Sequence, residues 1–176
     1  MEQEHVEPTN PGEAEQAGAQ FAQTVAAENV QFGPGFAVTV QAGQDINMEQ
    51  SGALAVAAGK DMDLAFGGAV FMAVGGDLDV TNGGAQVMVV GGDAQINKGG
   101  AQVMIAGGNV ELSETGGLLL AGQQVVARNG YYGVVLAQNV TLDGDSKVLL
   151  DPKLAAIFGA AFGAVFALLS FLFRRK

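Results

Sequence analysis

The chain contains no cysteine, so disulfides, thiolate ligands and a thiol nucleophile are all excluded. Its one histidine, His5, stands in an acidic stretch without a companion cluster. It reads as a solvated terminal side chain rather than a ligand or base. Basic residues are scarce: eight Lys and Arg face eighteen Asp and Glu, a formal charge of −10. Binding a nucleic-acid backbone needs a concentrated basic field, so no nucleic-acid partner is expected. The first residues also lack a basic start followed by an apolar core, and conventional N-terminal secretion is not expected.

No glycine pair leads into the Gly-Lys-Ser/Thr ending of a phosphate loop, and Lys60 and Lys98 are too sparse to mark a nucleotide groove. Asp61/Asp63 and Asp77/Asp79 form a candidate carboxylate patch. Their repetition fits solvent-facing and corner positions better than the ligand geometry of a calcium site. The adjacent Tyr131 and Tyr132 read as rim packing ahead of a carbohydrate or protein contact. The expectation is a protein that is not an enzyme and carries no cofactor or metal.

What the chain has is an interval. An acidic or amide residue recurs every sixteen positions at Asn29, Asp45, Asp61, Asp77, Asp93 and Asn109, then at fifteen-residue steps at Gln124 and Asn139. Each opens a segment with apolar side chains at the next and third-next positions, the signature of a β-solenoid. The register is plain in GGDLDVTN (75–82), GGAQVMVV (83–90), GGDAQINK (91–98) and GGAQVMIA (99–106). Each turn divides into two eight-residue halves, with glycine pairs as corners because they tolerate positive φ and close backbone approach. The fold expected is all-β: a solenoid of about eight short turns over residues 29–150, rising roughly 34 Å at the usual strand separation.

In the first half, Val30, Ile46, Met62, Leu78, Ala94, Val110, Val125 and Val140 form one apolar ladder. Phe32, Met48, Leu64, Val80, Ile96, Leu112, Ala127 and Leu142 form another. A two-residue separation puts both on the core face. In the second half, the ladder from Ala55, Phe71 and Val87 and the one from Ala57, Ala73 and Val89 are expected in the core. The intervening Val56, Met72, Met88, Met104, Leu120 and Val135 are apolar as well. Strict alternation puts them outside as an interaction stripe meeting another protomer, the N-terminal arm or lipid.

Residues 1–28 hold six acidic residues and no Lys or Arg, and read as a flexible acidic arm. Within it, Ala17, Phe21, Val25 and Ala26 can share a face of a short helix over 17–28 that caps the first turn.

Leu154–Phe173 is a run of twenty residues without a charged side chain, flanked by Lys153 and by Arg174, Arg175 and Lys176. As a helix it spans about 30 Å, which predicts a single-pass transmembrane segment in contact with membrane lipids. Ala155, Gly159, Gly163 and Ala167 recur every four residues on one face, a small-residue array that permits close packing of transmembrane helices. The basic end favours a cytoplasmic C-terminus by the positive-inside rule. The absence of an export signal favours a cytoplasmic solenoid with a tail inserted after synthesis.

The paired glycines and stacked segments, above all GGDLDVTNGGAQVMVVGGDAQINKGGAQVMIAGG, resemble the β-solenoid core of bactofilins over roughly residues 29–150. That resemblance implies a polymer-forming, membrane-proximal scaffold, with Leu154–Phe173 as its attachment. The apolar second stripe and the full C-terminal span depart from the bactofilin pattern. They favour a membrane-bound oligomer beside a filament. The function expected is a membrane-anchored structural scaffold that self-associates or forms filaments through the solenoid. A membrane-tethered protein-binding adaptor, assembled by helix packing in the bilayer, is the alternative.

Overall fold

A computed structural model describes residues 15–17 and 21–150. The expected span Leu154–Phe173, with Ala155, Gly159, Gly163 and Ala167, lies outside the described residues, as does most of the acidic arm. Every regular element among the described residues is a strand. In chain order these are β1 (Glu15–Ala17), β2 (Phe21–Ala27), β3 (Val30–Phe32), β4 (Gly35–Ala42), β5 (Ile46–Glu49), β6 (Ser51–Ala58) and β7 (Met62–Val74). They continue as β8 (Leu78–Val90), β9 (Ala94–Ala106), β10 (Val110–Ala121), β11 (Gln124–Arg128), β12 (Tyr131–Leu136), β13 (Asn139–Asp143) and β14 (Lys147–Leu150).

All pairings are parallel and join one coil to the next: Ile46 pairs Met62, which pairs Leu78, which pairs Ala94. The result is a parallel β-solenoid of about eight turns. Along one side β1, β3, β5, β7, β8, β9, β10, β11 and β13 stack in order. Eight intervals between these strands give a column of roughly 38 Å.

The N-terminal region corrects one expectation. Residues 21–27 are a strand, not a capping helix: Phe21 pairs Phe36, Thr24 pairs Thr39 and Val25 pairs Val40. The acidic arm thus contributes a coil of its own, with β1 pairing β3. The helical spacing of Ala17, Phe21 and Val25 is outweighed by the gain from adding a rung, which satisfies backbone groups and covers the core end.

The first-half ladders are buried as their alternation predicts, from Val30, Ile46 and Met62 to Val125 and Ala127. Only Val140 and Leu142, in β13, stand 42% exposed. The second half departs from expectation. Each coil has three runs rather than two halves, because the chain bends again beyond the glycine pairs. One bend falls on a residue at positive φ, namely Gln50, Phe66, Asn82, Lys98, Glu114 and Asn129 in successive coils. A second falls where pairing skips a position: Ala69 pairs Ala85 and Phe71 pairs Val87, with no pairing of Val70 to Gln86.

The GG pairs at 83–84 and 99–100 therefore lie inside strands. They are glycine for lack of room: a Cβ on Gly84 would overlap the carbonyl oxygen of Gly100, and one on Gly100 that of Gly116. The pairs at 75–76, 91–92 and 107–108 are the true corners, lying between strands.

Candidate interaction face

At the corners the sixteen-residue acid or amide acquires a role. Each side-chain Oδ1 accepts the backbone N–H of its counterpart one coil later: Asp61 from Asp77 at 2.8 Å, Asp77 from Asp93 at 2.8 Å and Asp93 from Asn109 at 2.6 Å. The ladder begins with Asp45 N–H on Asn29 and Asp61 N–H on Asp45. An unpaired backbone donor is costly, and here a side chain bridges the corner that sheet pairing misses. The residue before each acid completes the fit, since a Cβ on Gly76, Gly92 or Gly108 would overlap Oδ1 of Asp61, Asp77 or Asp93. In the earlier coils Glu28, Gln44 and Lys60 occupy that position, and their side chains join in line: Gln44 donates to Glu28, and Lys60 donates to Gln44 at 2.9 Å.

These corners and the outer side of the first run make one surface acidic. Asp63 and Asp79 are direct ladder partners. Partial desolvation between the neighbouring rungs, and then the charge of Asp63, hold the Asp79 carboxyl above the ordinary carboxylate range. Asp61, Asp63, Asp77, Asp79 and Glu111 line a shallow groove there. Among the described residues no group of three or more such side chains is placed to hold a metal ion. At the C-terminal side Arg128 lies 3.4 Å from Glu111 and 3.8 Å from Asp143.

The interaction stripe read from sequence is on the other side of the sheet from that expected. Val56, Met72, Met88, Met104 and Leu120 are at most 2% exposed and sit in the core, with Val135 partly buried against it. The cause is a shift of phase at the second bend. Ala53 and Val56 both point inward although three residues apart, as do Ala101 and Met104. Two consecutive residues, such as Leu54 and Ala55, turn outward between them. Every later position in the coil thereby changes sides. Unbranched methionine suits the narrow interior.

The two ladders expected in the core therefore form the outer face. One runs Ala55, Phe71, Val87, Val103, Leu119, Val134, and the other Ala57, Ala73, Val89, Ile105, Ala121, Leu136, each in unbroken register. Phe71 is 51%, Ile105 47% and Leu136 57% exposed. Leu54, Val70 and Leu118 border them at the bend and are exposed as well, and in the two middle coils the same position holds the exposed amides Gln86 and Gln102. Across these rungs no charged side chain points outward. A contiguous apolar surface of this kind is a candidate interaction site.

Tyr131 and Tyr132 divide as paired strand neighbours do. Tyr131 is exposed, whereas Tyr132 is buried with its hydroxyl 2.6 Å from Thr115 Oγ1. Burial pushes the Tyr132 hydroxyl pKa up against the opposing effect of that hydrogen bond.

Compared with family models, with curated proteins and with solved structures, the chain finds no match.

Proposed function

We propose that the chain is a membrane-attached structural scaffold whose solenoid is a stiff, self-associating platform. The observation that carries this reading is the uncharged apolar face along a column whose corners and first run are polar and acidic. A parallel solenoid of this kind is compatible with such a role, and bactofilin-like scaffolding is the nearest description of it. Attachment rests on the sequence of Leu154–Phe173, long enough and apolar enough for one crossing. The solenoid is then held at the cytoplasmic surface.

A second reading rests on the four-residue spacing of Ala155, Gly159, Gly163 and Ala167: an adaptor assembled by helix packing in the bilayer, with the face free for another protein. Electron microscopy and light scattering on the full-length protein, beside a chain ending at Asp151, separate the two. Assembly of both supports the solenoid as the self-associating part. Assembly of the full-length chain alone supports the adaptor, and monomers in both cases defeat the scaffold.

A further inference from the structure

We infer that the apolar outer face is a closed homodimer interface, in which two copies pack this face on itself about a two-fold axis near Val103 and Ile105. The inference rests on the scaffold reading and specifies its contact.

Charge carries the first part of the argument. With a formal charge of −10, two copies of this chain repel each other over most orientations. The corners and the first run present Asp61, Asp63, Asp77, Asp79 and Asp93, so contact there would oppose carboxylates. The outer face from Leu54 to Leu136 carries no charge, and two copies meet there without that cost.

Shape carries the second. Flat parallel ladders present side chains that stack sheet on sheet at about 10 Å. The rung of Val103 and Ile105 lies midway between the rung of Phe71 and Ala73 and the rung of Val134 and Leu136. A two-fold axis there sets Phe71 and Ala73 against Val134 and Leu136 of the other copy, and Val87 and Val89 against Leu119 and Ala121. Large and small side chains then alternate across the contact. An interface that uses one patch on both copies closes at two.

Area sets the strength. The five rungs that this axis pairs, four residues wide, give a footprint of about 24 by 13 Å, or roughly 300 Å². Stable complexes usually bury about 800 Å² of accessible surface per partner, so this contact is at the weak end. Confinement of the copies by a common membrane raises their effective concentration and compensates. A lipid surface fits the face less well, because binding in the bilayer interface is supported by Lys, Arg and Trp, none of which points outward from these rungs.

The absence of cysteine makes the test clean, because one introduced cysteine reports alone. Full-length Ile105→Cys, and Gln95→Cys on the acidic side as control, are nitroxide-labelled and reconstituted in phosphatidylcholine vesicles. The expected result is dipolar broadening at position 105 and none at 95. In parallel, donor- and acceptor-tagged full-length copies report pairing by energy transfer. Ile105→Lys alone and Ile105→Glu alone each weaken pairing at least about tenfold, and a mixture of the two recovers it. Circular dichroism melts confirm that the variants fold.

A label at 105 that is unbroadened and open to oxygen assigns the face to lipid and overturns the pair. An immobilised, unbroadened label closed to both oxygen and aqueous reagents assigns it to another part of the chain, with the same consequence. If both charged variants still associate like the native chain, this interface is wrong and the scaffold reading stands. If the native chain stays monomeric in vesicles, both fall.

Discussion

The smallest unit of this architecture is one carboxylate seated on one glycine. Asp77 Oδ1 takes the N–H of Asp93, Gly92 leaves room for it, and the N–H of Asp77 is taken in turn by Asp61. Asp77→Ala removes one acceptor and leaves a corner donor to water, which costs about 1 kcal/mol. Asp77→Asn keeps the acceptor, as Asn29 does for Asp45, and costs less. Gly92→Ala forces a Cβ onto Oδ1 and costs about 1–3 kcal/mol as an overpacked site. Chemical denaturation of the three variants should give that order. The sixteen-residue interval of these residues was legible at once, whereas their task was not, because a corner acid and a solvent-facing acid look alike in a sequence. One neighbour makes the difference measurable. Asp79 holds its proton more tightly in the folded state than in the unfolded chain, because desolvation and Asp63 disfavour its charge. Its charged form therefore costs stability at neutral pH, and the cost is relieved as pH falls through its raised folded pKa toward the ordinary value of 3.8. Asp79→Asn should be more stable than the native chain at neutral pH, and the advantage should fade with acidification. An advantage that stays constant with pH would show that the carboxylate charge is not its source.

At the scale of the element, the third run of each coil decides what the surface is. Its inward ladder, Val56 through Leu120, and its outward ladders are both apolar, so composition holds no sign of which is which. Alternation alone put the methionines outside. The bend at Leu54, Val70 and Leu118 displaces the alternation by one, and no glycine or proline marks it. The other bend falls on Phe66, Asn82 and Lys98, residues of unrelated chemistry sharing a left-handed backbone directly before the glycine pairs at 67–68, 83–84 and 99–100. The first run was readable because polar residues such as Asn47, Asp63 and Gln95 alternate with its apolar ones. Substitution tells the two ladders of the third run apart. Met88→Gln puts an amide into a site that is 0% exposed and should cost several kcal/mol through lost packing and an unsatisfied group. Ile105→Gln on the outer side should cost about 0.5 kcal/mol or less. Thermal melts of both variants check the assignment, and a milder effect at Met88 than at Ile105 would reverse it.

Across the whole molecule, the sequence conveyed the column but placed its beginning one coil late. The strand FAQTVAA at 21–27 matches FAVTVQA at 36–42 at five of seven positions, and that fifteen-residue echo was the available signal. It was hidden because the same residues also satisfy a helical spacing, and because the acid or amide that marks later coils has no counterpart at position 14. The finished rod is acidic at its corners and first run and uncharged along the outer face of its third run, and salt should act on it in a distinctive way. Screening shortens the reach of charge from about 10 Å at 0.1 M to about 3 Å at 1 M. Association of the full-length protein should therefore tighten as salt rises, since repulsion falls while apolar contact persists. Light scattering over that range checks this, and loosening with salt would point to ion pairs as the adhesive. The corner ladder has a last consequence, for how such a chain changes length. Because each corner binds only its own counterpart one coil away, a copied stretch such as 91–106 brings a matching acid, matching glycines and a matching core. Inserting a duplicate of it should lengthen the rod by about 4.8 Å without disturbing the coils on either side. Length is thus a quantity that duplication and deletion of gene segments can adjust in single steps, independently of whatever the two ends and the outer face are selected to do.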